Sequence, residues 1–145
     1  MKIVVQRVLN ATVSINNEIY SKINHGFLVY LGIHINDTEE EVLKYVEKIK
    51  KLRIFEDDQG KMNLDINSVK GEVLVVSQFT LYGNTRKGNR PSFIEAARPE
   101  VAIPLYELFI SELRNFLTVE TGVFGANMQI TSVNDGPVTI VIDNL

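Results

Sequence analysis

The sequence predicts an α+β domain: a mixed, largely antiparallel set of β-sheet layers or a barrel-like sheet, with two main helices packed on one side. Two observations carry this prediction. β-rich runs occupy the beginning, middle and end of the 145-residue chain, and they enclose only two stretches with helical periodicity. A doubly wound parallel sheet would instead alternate strand and helix throughout. No internal repeat, low-complexity tract or Pro/Ser/Gly linker interrupts the chain, so residues 1–145 are read as a single domain. A chain of this length buries about two thirds of its unfolded surface and needs no disulfide or structural metal to fold.

Lys2 to Val8 and Ala11 to Ile15 are short β-rich runs, and Asn16-Asn17 supplies a turn tolerant of positive φ before Glu18 to Ile23. Asn24-His25-Gly26 turns the chain into Phe27 to Ile33, an unbroken apolar run suited to a strand buried on both faces. Thr38 followed by Glu39, Glu40 and Glu41 forms a capping box with negative charge at the positive end of a helix. Val42, Tyr45, Val46, Ile49 and Leu52 then recur at helical spacing, and Lys48, Lys50 and Lys51 complement the other end. Arg53 to Glu56 and Lys61 to Asp65 flank the hairpin loop Asp57-Asp58-Gln59-Gly60, and Glu72 to Leu81 reads as a strand with an apolar middle. Tyr82 to Pro91 is an exposed polar loop. Pro99 suits the first turn of a second helix, although Pro104 is an alternative start; Ala102, Leu105, Phe109, Leu113 and Phe116 would form its apolar face. Thr118 to Asp143 returns to β-rich sequence broken by Gly122, Gly125 and Asn134-Asp135-Gly136-Pro137.

Composition removes several chemistries. The chain has no Cys, which excludes a disulfide framework, a thiolate nucleophile and Cys-ligated zinc. His25 and His34 are the only histidines, so neither a multi-histidine metal site nor a serine-hydrolase triad is expected, and no cofactor is implied. The N-terminal apolar stretch is interrupted by Gln6 and Arg7 and lacks a small-residue cleavage site. The longest apolar stretch, Phe27 to Ile33, is far shorter than the roughly 20 residues needed to span a bilayer. A soluble, cytoplasmic protein with no membrane association is the expectation. A formal net charge of −3 argues against general nucleic-acid coating but allows a local basic patch.

Three segments stand out as candidates for chemistry. Ser77-Gln78-Phe79-Thr80 places polar groups at the exit of a buried strand, where they are either the solvent face of an edge strand or pocket residues; Thr80 as a nucleophile would need a general base within reach. Asn134-Asp135-Gly136-Pro137 interrupts a β-rich run, and composition reads it as a hairpin turn with Pro137 opening the next strand. Arg86, Lys87 and Arg90 concentrate positive charge in one loop, either solvated or facing phosphate. Phe124 and Met128, beside glycines, are core residues or a stacking surface for a base.

The order and spacing of these motifs resemble the D-aminoacyl-tRNA deacylases, the D-tyrosyl-tRNA deacylase family, over essentially the whole chain. The resemblance is carried by Val5-Gln6-Arg7-Val8, Leu52-Arg53-Ile54-Phe55, Lys61-Met62-Asn63-Leu64, Ser77-Gln78-Phe79-Thr80-Leu81-Tyr82, Arg86-Lys87-Gly88-Asn89-Arg90-Pro91-Ser92-Phe93, Thr121-Gly122-Val123-Phe124-Gly125-Ala126 and Asn134-Asp135-Gly136-Pro137-Val138-Thr139. It implies a homodimer acting on aminoacyl-tRNA, with active sites at the subunit interface and no other protein partner. It implies that the Gly136-Pro137 peptide is cis and reaches into the partner's pocket, and that Arg7 helps to hold it. By the same resemblance Ser77, Gln78, Phe79 and Thr80 line the catalytic pocket, while Phe124, Met128 and Ala102 surround the terminal adenosine. The implied reaction is hydrolysis of the D-aminoacyl ester, assisted by the tRNA ribose, with glycyl-tRNA accepted and L-aminoacyl-tRNA excluded. The competing readings are a non-catalytic homodimeric RNA-binding module and, behind it, a conventional serine or threonine esterase.

Overall fold

A computed structural model describes residues 1–145. The chain opens with β1 (Lys2–Ile15), β2 (Glu18–Ile23) and β3 (Gly26–Gly32). Asn16 and Asn17 join β1 to β2 with φ of 51° and 65°, the left-handed pair that a tight hairpin needs and Asn tolerates. β2 and β3 lie end to end along one edge of β1: Ala11 faces Ile23, and Val8 faces Gly26. The two expected runs Lys2 to Val8 and Ala11 to Ile15 are therefore one strand, and the break falls in its partner at Asn24–His25.

Next come α1 (Glu39–Lys51), a small hairpin of β4 (Phe55–Glu56) and β5 (Met62–Leu64), and β6 (Glu72–Ser77). A 3-10 turn (Phe79–Tyr82), α2 (Pro99–Arg114), β7 (Thr118–Thr121) and β8 (Gln129–Asp143) complete the chain. Glu41 accepts hydrogen bonds from the Thr38 amide at 3.0 Å and hydroxyl at 2.6 Å, and these bonds hold its carboxyl below the usual range. The strand order is β2-β1-β3-β6-β7, with β8 antiparallel along the other edge of β1. β3, β6 and β7 are mutually parallel. The Ser21 hydroxyl of β2 donates to the Thr121 carbonyl of β7 at 2.7 Å, so the sheet curls until its outer strands meet and it nearly closes as a barrel.

Both sheet faces are apolar. Ile3, Val5, Phe27, Val29, Leu31, Val73 and Val75 pack beneath the helices, against residues such as Tyr45, Ile49, Phe109 and Leu113. Leu28, Leu74 and Val76 point the other way, into the barrel interior with Val8, Ala11, Val13 and Ile23. This double burial explains the unbroken apolar runs of β3 and β6, and both helices lie on one side as predicted. No helix is long and apolar enough to cross a membrane.

Three further expectations are corrected, and the Pro99 start of the second helix holds over the Pro104 alternative. β6 ends at Ser77 and not at Leu81, because the chain leaves the sheet into the 3-10 turn. α2 starts at Pro99 and runs through Pro104. Phe116 lies beyond the end of α2 and is half-exposed under the Lys50 ammonium, which stands 3.3 Å from its ring centroid. Asn134–Pro137 is not a hairpin turn: β8 follows β1 on both sides of it, with Asn134 opposite Val8 and Thr139 opposite Gln6. Residues 135–138 therefore bulge out opposite Arg7, and within the bulge the Gly136–Pro137 peptide is cis.

Gly26 shows how tightly β3 and β6 approach. Its φ is +151°, and a β-carbon there would stand 1.8 Å from the Glu72 carbonyl oxygen. Gly26→Ala should destabilise the fold by roughly 3 kcal/mol through combined strain and overlap, seen as a lower urea midpoint. A wild-type midpoint would show that the two strands separate easily.

Candidate active site

The carboxyl ends of the parallel strands β3, β6 and β7 gather most of the sequence-predicted residues. β6 stops when the Gln78 amide donates to the Leu31 carbonyl of β3 at 2.8 Å. The chain then enters the 3-10 turn, whose first amides have no acceptor inside the turn. Those of Phe79 and Thr80 donate to no other backbone or side-chain acceptor in the chain. The Gln78 side-chain amide donates to the Thr80 hydroxyl, which turns that hydroxyl into an acceptor for a neighbour. Phe79 is 54% exposed, with its ring edge-on to Phe93 at 5.1 Å.

Phe93 ties the basic loop to this turn. Asn84 and Ser92 exchange backbone hydrogen bonds of 2.8 and 2.9 Å across the loop base. Arg86, Lys87 and Arg90 are exposed beyond that closure and form no ion pair within the chain. Three cations unpaired within the chain thus project from a loop whose base meets, through Phe93, the turn that carries the two unengaged amides. Neither histidine serves this turn as a base. His34 packs against Tyr82 and accepts the Asn36 amide at Nδ1, whereas His25 bonds the Val69 carbonyl at 2.7 Å.

At the end of β7 the Gly122 amide donates to the Val75 carbonyl at 3.2 Å, keeping Gly122–Phe124 alongside the exit of β6. Phe124 and Met128 are half-buried. Phe124 meets Tyr106 edge-on at 5.7 Å, and burial pushes the Tyr106 hydroxyl up to about 12, so it remains protonated at neutral pH. A β-carbon on Gly122 would stand 2.5 Å from Met128 Sδ, so the flexible thioether lies directly over this backbone and would have to shift for a larger residue. Ala102 is 4% exposed and packs into the main core of this chain.

Arg7, Gly136 and Pro137 are elsewhere. Arg7 is 5% exposed, and its Nη1 donates to the Ile54 carbonyl at 2.8 Å. Its Nε lies 3.3 Å from Asp135 Oδ2, and its Nη2 lies 3.9 Å from Glu56 Oε1. On β3, Arg7 pairs with Phe27 while Ser77 pairs with Leu31. Four residues of extended chain separate those positions, about 13 Å. One chain therefore does not bring Gly136–Pro137 to Ser77–Thr80; they occupy opposite ends of the same sheet.

Sequence reasoning missed the Ile54 carbonyl, Glu56, Asp135, Tyr106 and the packing role of Phe93. Asp135 and Phe93 lie inside motifs already singled out, and Tyr106 shares the periodicity of α2. A carbonyl acceptor such as that of Ile54 leaves no mark on side-chain identity.

The family model described as D-Tyr-tRNA(Tyr) deacylase matches residues 4–143. A D-aminoacyl-tRNA deacylase of Porphyromonas gingivalis is 54% identical over 145 residues, covering 99% of this chain and 97% of that protein. One of Thermosipho africanus is 51% identical over 145 residues, with the same coverage of both chains. A solved structure of a c-Myc DNA unwinding element binding protein is 42% identical and superposes with a TM-score of 0.94, covering 100% of this chain and 99% of that one. A probable eukaryotic D-amino acid tRNA deacylase, 18% identical, shares the fold with a TM-score of 0.85, covering 99% of this chain and 98% of that one. In class the protein is a hydrolase on a two-helix, nearly closed mixed sheet. The chain belongs to the D-Tyr-tRNA(Tyr) deacylase family.

Proposed function

We propose that this enzyme hydrolyses the ester between a D-amino acid and the terminal ribose of tRNA, working in the cytoplasm as a homodimer whose active sites lie at the subunit interface. The observation that carries the mechanism is the pair of unengaged amides at Phe79 and Thr80, at a turn with no histidine or other base bonded to it. Two preorganised N–H donors suit the oxyanion that forms when water adds to an acyl carbon. An aminoacyl ester is already activated, and its neighbouring ribose hydroxyl orients the attacking water or takes its proton. Water adds to the carbonyl carbon, the carbon–oxygen bond to ribose breaks, and the ribose oxygen leaves with a proton. Ser77, Gln78, Phe79 and Thr80 shape this step. Thr80 accepts from Gln78 and organises the pocket instead of attacking.

Phe124 and Met128 offer an apolar surface for the terminal adenine, and Ala102 belongs to this subsite by the family resemblance. Arg86, Lys87 and Arg90 attract the phosphates of the acceptor stem. The partner's Gly136–Pro137 completes the pocket, with its backbone in the space that an L side chain requires, while a D side chain points outwards. Such a filter rejects L and does not recognise D, so glycyl-tRNA, including glycine mischarged on alanine tRNA, passes. The separation of Gly136–Pro137 from Ser77–Thr80 within one chain supports the cross-subunit arrangement.

Matched D-tyrosyl-, L-tyrosyl- and glycyl-tRNA tested with the purified protein should show loss of the D and glycyl esters with the L ester spared. tRNA binding without turnover would establish the non-catalytic RNA-binding reading, and equal cleavage of D and L would remove the filter.

Thr80→Ala should keep kcat within roughly a hundredfold of wild type, since general-base effects of 10²–10⁴ are assigned to the ribose and not to Thr80. A larger loss with tRNA binding intact, together with a covalent acyl-enzyme, would restore a nucleophilic role. Neutralising Arg86, Lys87 and Arg90 together should reduce the slope of log affinity against log salt by roughly 2 to 3. An unchanged slope would mean that the loop is only solvated.

A further inference from the structure

We propose that Asp135 is a specificity-determining positioning residue: it moors the tip of the 135–138 bulge to the sheet through Arg7, with Glu56 of the β4–β5 hairpin as the second carboxylate on the same guanidinium. The inference rests on the reading of Gly136–Pro137 as the chiral filter.

A guanidinium has five N–H donors, and in this buried arginine few are committed. Nη1 bonds the Ile54 carbonyl at 2.8 Å, but Nε has no hydrogen-bond acceptor although Asp135 Oδ2 lies only 3.3 Å away. Glu56 Oε1 stands 3.9 Å from Nη2. Charge thus draws the two carboxylates towards Arg7 without fixing them in line; the guanidinium is buried, while the partly exposed carboxylates leave the attraction partly screened by water. Arg7, Asp135, Gly136 and Glu56, with His25, Phe55 and Val69, line a cavity of about 320 Å³.

The other restraints on the bulge act at its mouth. Asn134 Oδ1 accepts the Val138 amide at 3.3 Å, and Asn134 Nδ2 donates to Thr139 Oγ1 at 3.2 Å. Gly136 and Pro137 are exposed, and Asp135, immediately before them, connects them to a distant part of the chain. The mooring runs from Asp135 through Arg7 to the Ile54 carbonyl, so the hairpin is an outer support for the filter. Gly136 itself is crowded against this assembly: its φ is +120°, and a β-carbon would come within 3.1 Å of Arg7 Nη2 and 2.8 Å of Val138 Cγ2.

The test compares Asp135→Asn, Glu56→Gln and Gly136→Ala with wild type by kcat/KM on D- and L-tyrosyl-tRNA, with urea midpoints measured alongside. Asp135 and Glu56 side chains are 42% and 58% exposed, so neither change threatens folding. Asp135→Asn should lower the D-over-L ratio by about tenfold, in the range of remote positioning effects, at an unchanged midpoint; Glu56→Gln should lower it less. An unchanged ratio in Asp135→Asn, with or without a stability change, while Gly136→Ala collapses the ratio, overturns the mooring and leaves the filter standing. Unchanged ratios in both Asp135→Asn and Gly136→Ala remove the filter reading itself, and the mooring with it.

Discussion

β1 has no free edge, and the rest of the molecule is arranged around that constraint. Along one side it carries β2 and then β3; along the other it carries β8 from end to end. Its outward alternation is set by burial on the helix face at Ile3 and Val5 and in the barrel interior at Ala11 and Val13. A slip of one residue in β8, whose burial alternates, would turn its buried Val138 and Ile142 towards water. Because pairing resumes on both sides of Arg7, the surplus residues of β8 have nowhere to go but outwards. The projecting Gly136–Pro137 segment is thus a consequence of register, produced by a strand pair that is fixed above and below it.

The parallel set β3, β6 and β7 gives the molecule two unlike ends. At the carboxyl ends, β6 turns away after Ser77 and leaves two amides without acceptors, where exposed Phe79 meets half-buried Phe93 at the base of the closed basic loop. At the other end a buried guanidinium holds the bulge and the small hairpin together. Separating these groups within one chain makes the complete pocket a property of two chains in the proposed enzyme. A rigid wall supplied by a partner keeps its shape independently of the residues that meet the reacting ester. In that proposed arrangement the Ser77–Thr80 turn stabilises charge and the bulge excludes.

The helices and apolar strands were readable because their signals are local. The Thr38–Glu41 cap, the helical spacing of Val42, Tyr45, Val46 and Ile49, and the Asn16–Asn17 turn each involve neighbours in sequence, and each stands where expected. The end of β6 is not legible in sequence, because Phe79 and Leu81 continue its apolar character while leaving the sheet; a hydrogen bond from Gln78 to Leu31 on another strand decides the exit. Phe116 continues the apolar face of α2 in sequence but lies past its end, because periodicity does not say where a helix stops. Most candidate site residues were named from motifs, yet their distribution between two ends of a sheet depends on pairings among distant segments.

The α+β class, the two helices, the doubly buried strands, the basic loop and the motifs that carry the family are all legible in the residues alone. These follow from periodicity, capping chemistry and side-chain type, all of which act over a few residues. Tertiary structure alone decided that Asn134–Pro137 is a bulge and not a hairpin turn, that Arg7 is buried against the Ile54 carbonyl, and that Phe79 and Thr80 keep free amides. Each of those outcomes depends on which backbone groups find partners far along the chain, and backbone donors and acceptors are the same at nearly every residue.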